Sequence, residues 1–128
     1  MDWLNPDVAE LHFKVAISLM KQEADSAAEA EIRKAIKLRP DKAEYHDFLA
    51  RVLSLEGSRE DEAEAECREA IRLKPKIAVA HNTLGLVLEG QGKVWEAIEE
   101  YQEAIRLTLD RTGALSNLRR MISNLEEG

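Results

Sequence analysis

The chain has 128 residues, of which 45% are hydrophobic and 34% are charged, and its formal net charge is −7. This composition is typical of a soluble globular domain, and the negative charge argues against a nucleic-acid partner, because phosphate binding depends on Lys and Arg. No apolar run approaches the ~20 residues that cross a bilayer, and no basic leader precedes an apolar stretch as in a secretory signal.

A Leu-x-Pro pattern recurs along the chain and sets the period of the predicted elements. It occurs at 4–6, 38–40 and 73–75, with spacings of 34 and 35 residues, and a further step reaches 107–109, where the proline is lost. Internal repetition at such a period is typical of stacked helical hairpins. The sequence therefore predicts one all-α solenoid domain over 1–128, with repeats at about 7–40, 41–75 and 76–109.

The first repeat divides into two amphipathic segments around a polar turn at 21–26. Ser26 with Glu29 three residues later is a capping-box arrangement, and it predicts the start of the second helix. That helix ends near Leu38, because Pro40 cannot donate the next helical hydrogen bond. The apolar face of the first segment is Val8, Leu11, Val15 and Leu19, and that of the second is Ala28, Ile32, Ala35 and Ile36.

The second and third repeats follow the same plan around turns at 56–58 and at the glycines 90 and 92. A last helix at about 112–126 has one apolar stripe, which suits the end of an array. Three hairpins and a capping helix make seven predicted helices. The stripe consists of Leu115, Leu118, Ile122 and Leu125.

The start of the chain allows two interpretations. Leu4-Asn5-Pro6 has the form of a repeat's end, yet no repeat precedes it. Either the sequence is a piece of a longer array, or it has a natural start in which Asn5 caps and Pro6 opens the first helix.

The third repeat carries the residues by which the chain resembles the tetratricopeptide-repeat family. They are Ala80-His81-Asn82-Thr83-Leu84-Gly85, then Gly92, Glu96-Ala97-Ile98, Tyr101 and Ala104-Ile105. Small residues at equivalent places would let the paired helices approach closely: Ala16, Ala50 and Gly85, and Ala28, Ala63 and Ala97. The resemblance covers about residues 7–126. It implies a right-handed superhelical solenoid of three hairpins with a C-terminal capping helix.

In that family the first helix of each hairpin lines a concave face that binds partners, so the resemblance implies a site there. Its expected residues are Phe13, Ile17, Met20, Lys21, Glu44, Asp47, Arg51, Ser54, Val79, Asn82, Leu86 and Glu89. Some relatives carry a Lys/Asn/Arg clamp for a carboxylate at the end of a chaperone tail. Here the corresponding places hold Phe13, Ile17, Phe48, Val79 and Thr83. Capture of that carboxylate is therefore not expected.

Phe13, Ile17 and Met20 give the first helix a second apolar stripe, so that it is apolar almost all round. Three coverings of this stripe are open: an apolar partner peptide, a second copy of the chain, or Trp3-Leu4 folded back. We expect a protein-interaction module whose concave groove receives an apolar or basic protein or peptide. The alternatives are a self-associating scaffold, dimeric through the first helix, and an accessory interaction domain of a larger protein.

The remaining reactive side chains favour packing over chemistry. His12, His46 and His81 occupy equivalent places, but equivalents spread along a solenoid cannot converge on one metal ion. We interpret them as duplicated packing residues. Cys67 aligns with core positions, forms no internal disulfide and fits a reducing, cytoplasmic compartment.

Carboxylate runs on helices are usually solvated faces, and Glu29–Arg33 and Glu64–Arg68 have the spacing of ordinary ion pairs. No nucleophile–base grouping, phosphate-binding loop or zinc-spaced Cys/His set is recognisable. We therefore expect no enzyme, no cofactor and no metal.

Overall fold

The computed structural model describes residues 7–108 and 113–127, and within these ranges it contains seven α-helices and no strand. The helices pair as three hairpins, α1 with α2, α3 with α4 and α5 with α6, while α7 packs on α6. The hairpins are joined by packing of α2 on α3 and of α4 on α5. The predicted all-α solenoid with a capping helix is thereby confirmed. The helices are α1 (Val8–Lys21), α2 (Asp25–Leu38), α3 (Ala43–Ser54), α4 (Glu60–Leu73), α5 (Ala78–Gly90), α6 (Val94–Thr108) and α7 (Ala114–Glu127).

The first helix begins at a side-chain cap that the sequence interpretation missed. Asp7 is its N-cap, and its Oδ1 accepts a hydrogen bond from the Glu10 amide at 3.1 Å. Asp7 therefore takes the cap position that the sequence interpretation gave to Asn5. Leu4-Asn5-Pro6 itself lies outside the described residues.

The capping box predicted for α2 is also wrong. The helix begins at Asp25, its N-cap is Ala24, and no side chain caps it. Ser26 therefore lies inside the first turn, where the carboxylate of Asp25 favours the helix start through the helix dipole. Glu29 is engaged elsewhere, because it accepts hydrogen bonds from two arginines. These are Arg33 Nε at 2.9 Å and Arg59 Nη1 at 2.8 Å.

Small residues bring the two helices of each hairpin together, as predicted. Ala16 on α1 and Ala28 on α2 have no exposed surface, and the same holds for Ala50 and Ala63 in the second hairpin. Cys67 is fully buried beside them, and burial raises the pKa of its thiol. It is a core side chain, as expected, and the neutral thiol is poorly reactive.

The close-packed face of α1 is its alanine face, and of the four aliphatic residues predicted for the apolar face only Leu19 packs against the core. Val8, Leu11 and Val15 are 50%, 49% and 46% exposed, whereas Phe13 packs against the core. Because Ala9 and Ala16 allow the tightest approach of α2, the larger aliphatics cannot occupy that contact. Ile17 and Met20 pack against the core with Phe13.

The stripe predicted for α7 is only partly correct. Ala114 and Met121 are buried, and Leu118 packs against the core. Ile122 and Leu125 are each 44% exposed. None of the helices in 7–108 and 113–127 combines the length and apolar character that a membrane crossing requires.

Candidate partner-binding site

The first helices α1, α3 and α5 and the capping helix α7 follow one another along one side of the stack, and one pair of side chains meets at each of their three junctions. We call this row of pairs the inner seam. Its chemistry changes from two aromatic rings, through a carboxyl beside a hydroxyl, to two amides. The pairs are Phe13–Phe48, Asp47–Thr83 and Asn82–Asn117.

At the aromatic end, Phe13 is covered by the next hairpin. Its ring centroid lies 4.9 Å from that of Tyr45 and 5.6 Å from that of Phe48, the latter in an edge-to-face arrangement. The Tyr45 hydroxyl donates to Glu10 Oε2 at 3.1 Å, and burial together with this carboxylate raises the pKa of Tyr45 to about 12. The next hairpin thus covers Phe13, and the three coverings expected for the stripe stay predictions for Ile17 and Met20. Trp3-Leu4 lies outside the described residues.

An open groove of about 400 Å³ runs between α1 and α3 next to this aromatic cluster. Four residues predicted for the site line it together with Phe48, which forms its apolar floor. The Arg51 guanidinium carbon lies 5.5 Å from the Phe48 ring centroid, a cation–π arrangement. The four predicted residues are Ile17, Met20, Lys21 and Arg51.

Asp47 occupies the next position of the inner seam and is buried, with a side-chain exposure of 1%. Arg51 Nε lies 3.3 Å from its Oδ2, but neither carboxyl oxygen accepts a well-formed hydrogen bond from a described residue. Thr83 stands beside the carboxyl, yet its hydroxyl donates to the Val79 carbonyl at 2.9 Å. Burial raises the pKa of Asp47 above its ordinary value. A charge expected on an open surface is thus enclosed by the stacking of α5.

The two glutamates predicted for the site are held by internal partners. Glu44 accepts a hydrogen bond from Lys74 Nζ at 3.2 Å. Glu89 accepts from the Tyr101 hydroxyl at 2.8 Å and from Arg120 Nη2 at 2.9 Å, and the Arg120 guanidinium holds the pKa of Glu89 below its ordinary value. Lys21 is therefore the most available charge at the groove, because Arg51 also has an internal partner in Asp47.

The other predicted residues do not line the α1–α3 groove. Ser54 donates its hydroxyl to the Arg51 carbonyl at 2.8 Å, and Asn82 accepts from Asn117 Nδ2 at 3.0 Å. Val79 and Leu86 are 45% and 43% exposed on α5. The groove thus uses residues of α1 and α3, and the α5 residues form a separate surface.

Sequence reasoning missed the bonds of the histidines. His46 Nδ1 lies 2.7 Å from Glu66 Oε1, and its Nε2 lies 2.8 Å from the Pro40 carbonyl oxygen. Both acceptors need a ring N–H, so this geometry favours the doubly protonated cation. The Glu66 carboxylate raises the pKa of His46, and the Pro40 carbonyl adds to that effect against the opposing effect of burial. We call this arrangement the histidine bracket.

The bracket recurs along the chain. His81 repeats it with Glu100 at 2.7 Å and the Pro75 carbonyl at 3.0 Å, and its pKa is raised for the same reasons. His12 shares the contact to the second helix, with Nδ1 2.6 Å from Glu31 Oε2. The signal in the sequence that could have predicted these bonds is a glutamate 19 or 20 residues after each histidine. No group of three His, Cys, Asp or Glu residues within 7–108 and 113–127 could hold a metal ion.

The class of protein follows from this geometry: a stack of helical hairpins with an exposed groove between first helices. Residues 78–111 match the family model described as tetratricopeptide repeat. No curated protein matches the sequence. The third hairpin is therefore a tetratricopeptide repeat.

Solved structures give the comparison for the whole chain. The first TPR domain of human RPAP3 superimposes with a TM-score of 0.88 at 20% identity, covering 96% of each chain. The first TPR of Spaghetti (RPAP3), bound to the HSP90 peptide SRMEEVD, gives 0.84 at 19%, covering 93% of this chain and 94% of that one. The Sgt2 TPR domain of Aspergillus fumigatus gives 0.85 at 20%, covering 93% and 80%. The family match covers the third hairpin, and these superpositions show that the whole chain has the fold of TPR domains.

Proposed function

We propose that the chain is a protein-interaction module whose α1–α3 groove receives an apolar side chain of a partner peptide. The observation that carries this proposal is the groove itself, in which Ile17, Met20 and Phe48 provide an apolar surface beside two cations. A pre-formed concavity lined by apolar groups with a few polar ones at its edge is the usual form of a binding site.

The first TPR of Spaghetti (RPAP3) is bound to an HSP90 peptide, which supports an interaction role for this fold. The ligand proposed here has a different chemistry, because Phe13, Ile17, Phe48, Val79 and Thr83 stand at the places of the family's polar clamp.

The charges at the groove favour a partner with a carboxylate next to its apolar anchor. Lys21 and Arg51 line the groove, whereas the nearby Glu44 bonds with Lys74 and Asp47 is enclosed. The overall charge of −7 had favoured a basic partner, but long-range charge affects association rates more than it selects a bound side chain. We therefore propose an apolar, acid-bearing peptide.

The size of the groove limits the affinity to be expected. Full burial of one large apolar side chain is worth about 1.5–3 kcal/mol, and association and ordering consume part of that gain. One anchor with a charge contact would give weak, millimolar to micromolar binding, and a tighter complex would need further contacts along the inner seam.

The test is a selection of random peptides on the intact chain, followed by calorimetry of the enriched peptides. Peptides with an aliphatic or aromatic residue next to Asp or Glu should be enriched. Their affinity should fall about tenfold or more in the variant Ile17→Ser/Met20→Ser and about threefold in Arg51→Glu. The matched control is Leu11→Ser/Val15→Ser on the other side of α1, which should leave the affinity unchanged. Equal losses of peptide affinity in the two double variants would contradict the groove assignment.

The alternatives from the sequence stay predictions. One is a homodimer through the stripe of Phe13, Ile17 and Met20 on the first helix, and mass measured by light scattering over a wide concentration range checks it. A role as accessory domain of a larger protein, a cytoplasmic location and the exclusion of nucleic acid likewise await test.

A further inference from the structure

The outer side of α1 carries an aliphatic row that the groove does not use. Val8, Leu11 and Val15 are spaced three and four residues apart, so they stand above one another on one side of the helix. Each is about half exposed, at 50%, 49% and 46%. We call these three residues the outer stripe.

The repeats inside the molecule show what covers this position when a hairpin precedes it. The residues equivalent to Leu11 and Val15 lie 34 residues further on in the second hairpin and 69 further on in the third. They are all buried, with exposures of 0%, 1%, 0% and 1%. They are Tyr45, Leu49, Ala80 and Leu84.

The covering element is the same in both cases. Leu49 lines one crevice with Ile36 of α2, and Leu84 lines the equivalent crevice with Ile71 of α4. In each hairpin after the first, the aliphatic face of a second helix therefore lies on the equivalent of the outer stripe. Among the described residues no helix takes this place on α1. The outer stripe thus presents the same kind of apolar surface that α2 covers on α3 and that α4 covers on α5.

The charges beside the outer stripe differ from those at the internal contacts. In the later hairpins a cation before the second helix binds the preceding hairpin: Arg59 bonds Glu29 at 2.8 Å, and Lys93 lies 3.6 Å from Glu64. The equivalent residue of the first hairpin is Ala24, so that contact cannot form.

Two lysines of α1 stand at one edge of the outer stripe. Lys14 and Lys21 are exposed, lie two turns apart between the outer stripe and the α1–α3 groove, which Lys21 also lines, and form no ion pair within the described part of the chain. A helix that lies on the stripe would meet these two ammonium groups along one edge. On the edge of the docked helix that faces these lysines, carboxylates would be favoured over ammonium or guanidinium groups.

We propose that the outer stripe is a second docking surface, which binds an amphipathic α-helix of another protein. The helix has Ile, Leu and Ala along one face, as α2 and α4 have, and Asp or Glu along the edge that faces Lys14 and Lys21. The apolar part of this surface lies on the other side of α1 from Ile17 and Met20, and its charged edge shares Lys21 with the α1–α3 groove.

The test uses two designed helical peptides of about 20 residues, long enough to hold helical structure. Both have the same Ile/Ala face, and one has Glu and the other Lys along the flanks. The Glu peptide should bind the intact chain and shift the amide resonances of α1 around Leu11 and Val15. In fluorescence anisotropy the Lys peptide should bind about threefold more weakly or worse.

Variants of the chain make the assignment specific. Leu11→Ser/Val15→Ser should weaken binding of the Glu peptide about tenfold or more, while the groove variant Ile17→Ser/Met20→Ser leaves it unchanged. Lys14→Glu should weaken the Glu peptide and strengthen the Lys peptide by similar factors. Since these outer residues are half exposed, the variants should keep the wild-type circular dichroism and melting curve.

Three results would overturn the proposal. Resonance shifts confined to the groove, or equal losses in both double variants, would place the peptide elsewhere. Equal affinity for the two peptides would show that the surface does not select acidic residues along the edge of the bound helix. Self-association of the wild-type chain that Leu11→Ser/Val15→Ser abolishes would assign the stripe to a second copy instead.

Discussion

Gly85 of α5 and Tyr101 of α6 are in such close contact that a Cβ atom at Gly85 would lie 2.6 Å from Tyr101 Cδ1, and nearer still to Cε1. Tyr101 is fully buried, and its hydroxyl is fixed by the bond to Glu89. The other hairpins place an alanine opposite a smaller residue at the same two positions. Ala16 stands opposite Ile32 there, and Ala50 opposite Cys67. The sizes of the paired residues thus compensate each other within each hairpin.

Gly85→Ala should therefore destabilise the chain by about 2 kcal/mol or more, because the buried tyrosine ring cannot move away from the added methyl group without strain. The measurement is urea denaturation of the wild type and the variant. Adding Tyr101→Ile, which copies the first hairpin, should recover part of the loss. A double variant that is less stable than the sum of the two single effects predicts would contradict size compensation.

The histidine brackets predict a dependence of stability on pH. The pKa values of His46 and His81 are raised in the folded chain, so their contribution is complete below the unfolded value of about 6.5 and is lost as the pH rises through the folded values. The free energy of unfolding from urea denaturation should accordingly fall when the pH is raised from about 6 to about 8.

The control is the double variant His46→Gln/His81→Gln. It should be less stable than the wild type by about 1 kcal/mol or more at the lower pH, since a bond to a charged partner is lost in each bracket. The difference should shrink at the higher pH. A wild type whose stability is the same at both values would show that the brackets do not raise the pKa of either ring above its unfolded value.

Asp47→Asn should leave the chain equally stable or make it more stable by about 1 kcal/mol at neutral pH. The buried carboxylate costs desolvation, and Arg51 at 3.3 Å offsets only part of that cost. Because the folded pKa of Asp47 is raised, the wild type regains stability as acid protonates this group, and the advantage of the variant should vanish near the ordinary aspartate pKa of 3.8. Melting curves at several pH values measure both effects.

Glu44→Gln is the matched control for Asp47→Asn, because it removes the same charge from the same helix at a more exposed site. Its effect should stay within about 0.5 kcal/mol, as for other surface ion pairs. A loss of more than 1 kcal/mol in Asp47→Asn alone would show that the pair with Arg51 stabilises the fold.

The sequence predicted the architecture because its strongest signals are local and repeated. Pro40 and Pro75 follow the ends of α2 and α4 at Leu38 and Leu73, and small residues recur where paired helices meet. The start of α2 was predicted wrongly because a Ser-x-x-Glu pattern does not require a cap, and here the glutamate binds two arginines instead.

The candidate site was less predictable because its residues depend on neighbouring hairpins. The first helix is apolar almost all round, so helical periodicity alone could not decide which side faces α3 and which stays exposed. Asp47 is buried only because α5 stacks on α3. The histidine brackets join residues 19 or 20 positions apart, a separation that becomes a contact only once the hairpin geometry is known.

The changing chemistry of the inner seam distinguishes its three junctions. Rings meet at the α1–α3 junction, a carboxyl is enclosed at α3–α5, and amides meet at α5–α7. Each side chain is matched to the one it meets in the next helix. Exchanging two hairpins would set rings against amides, so these pairs fix the order in which the hairpins stack.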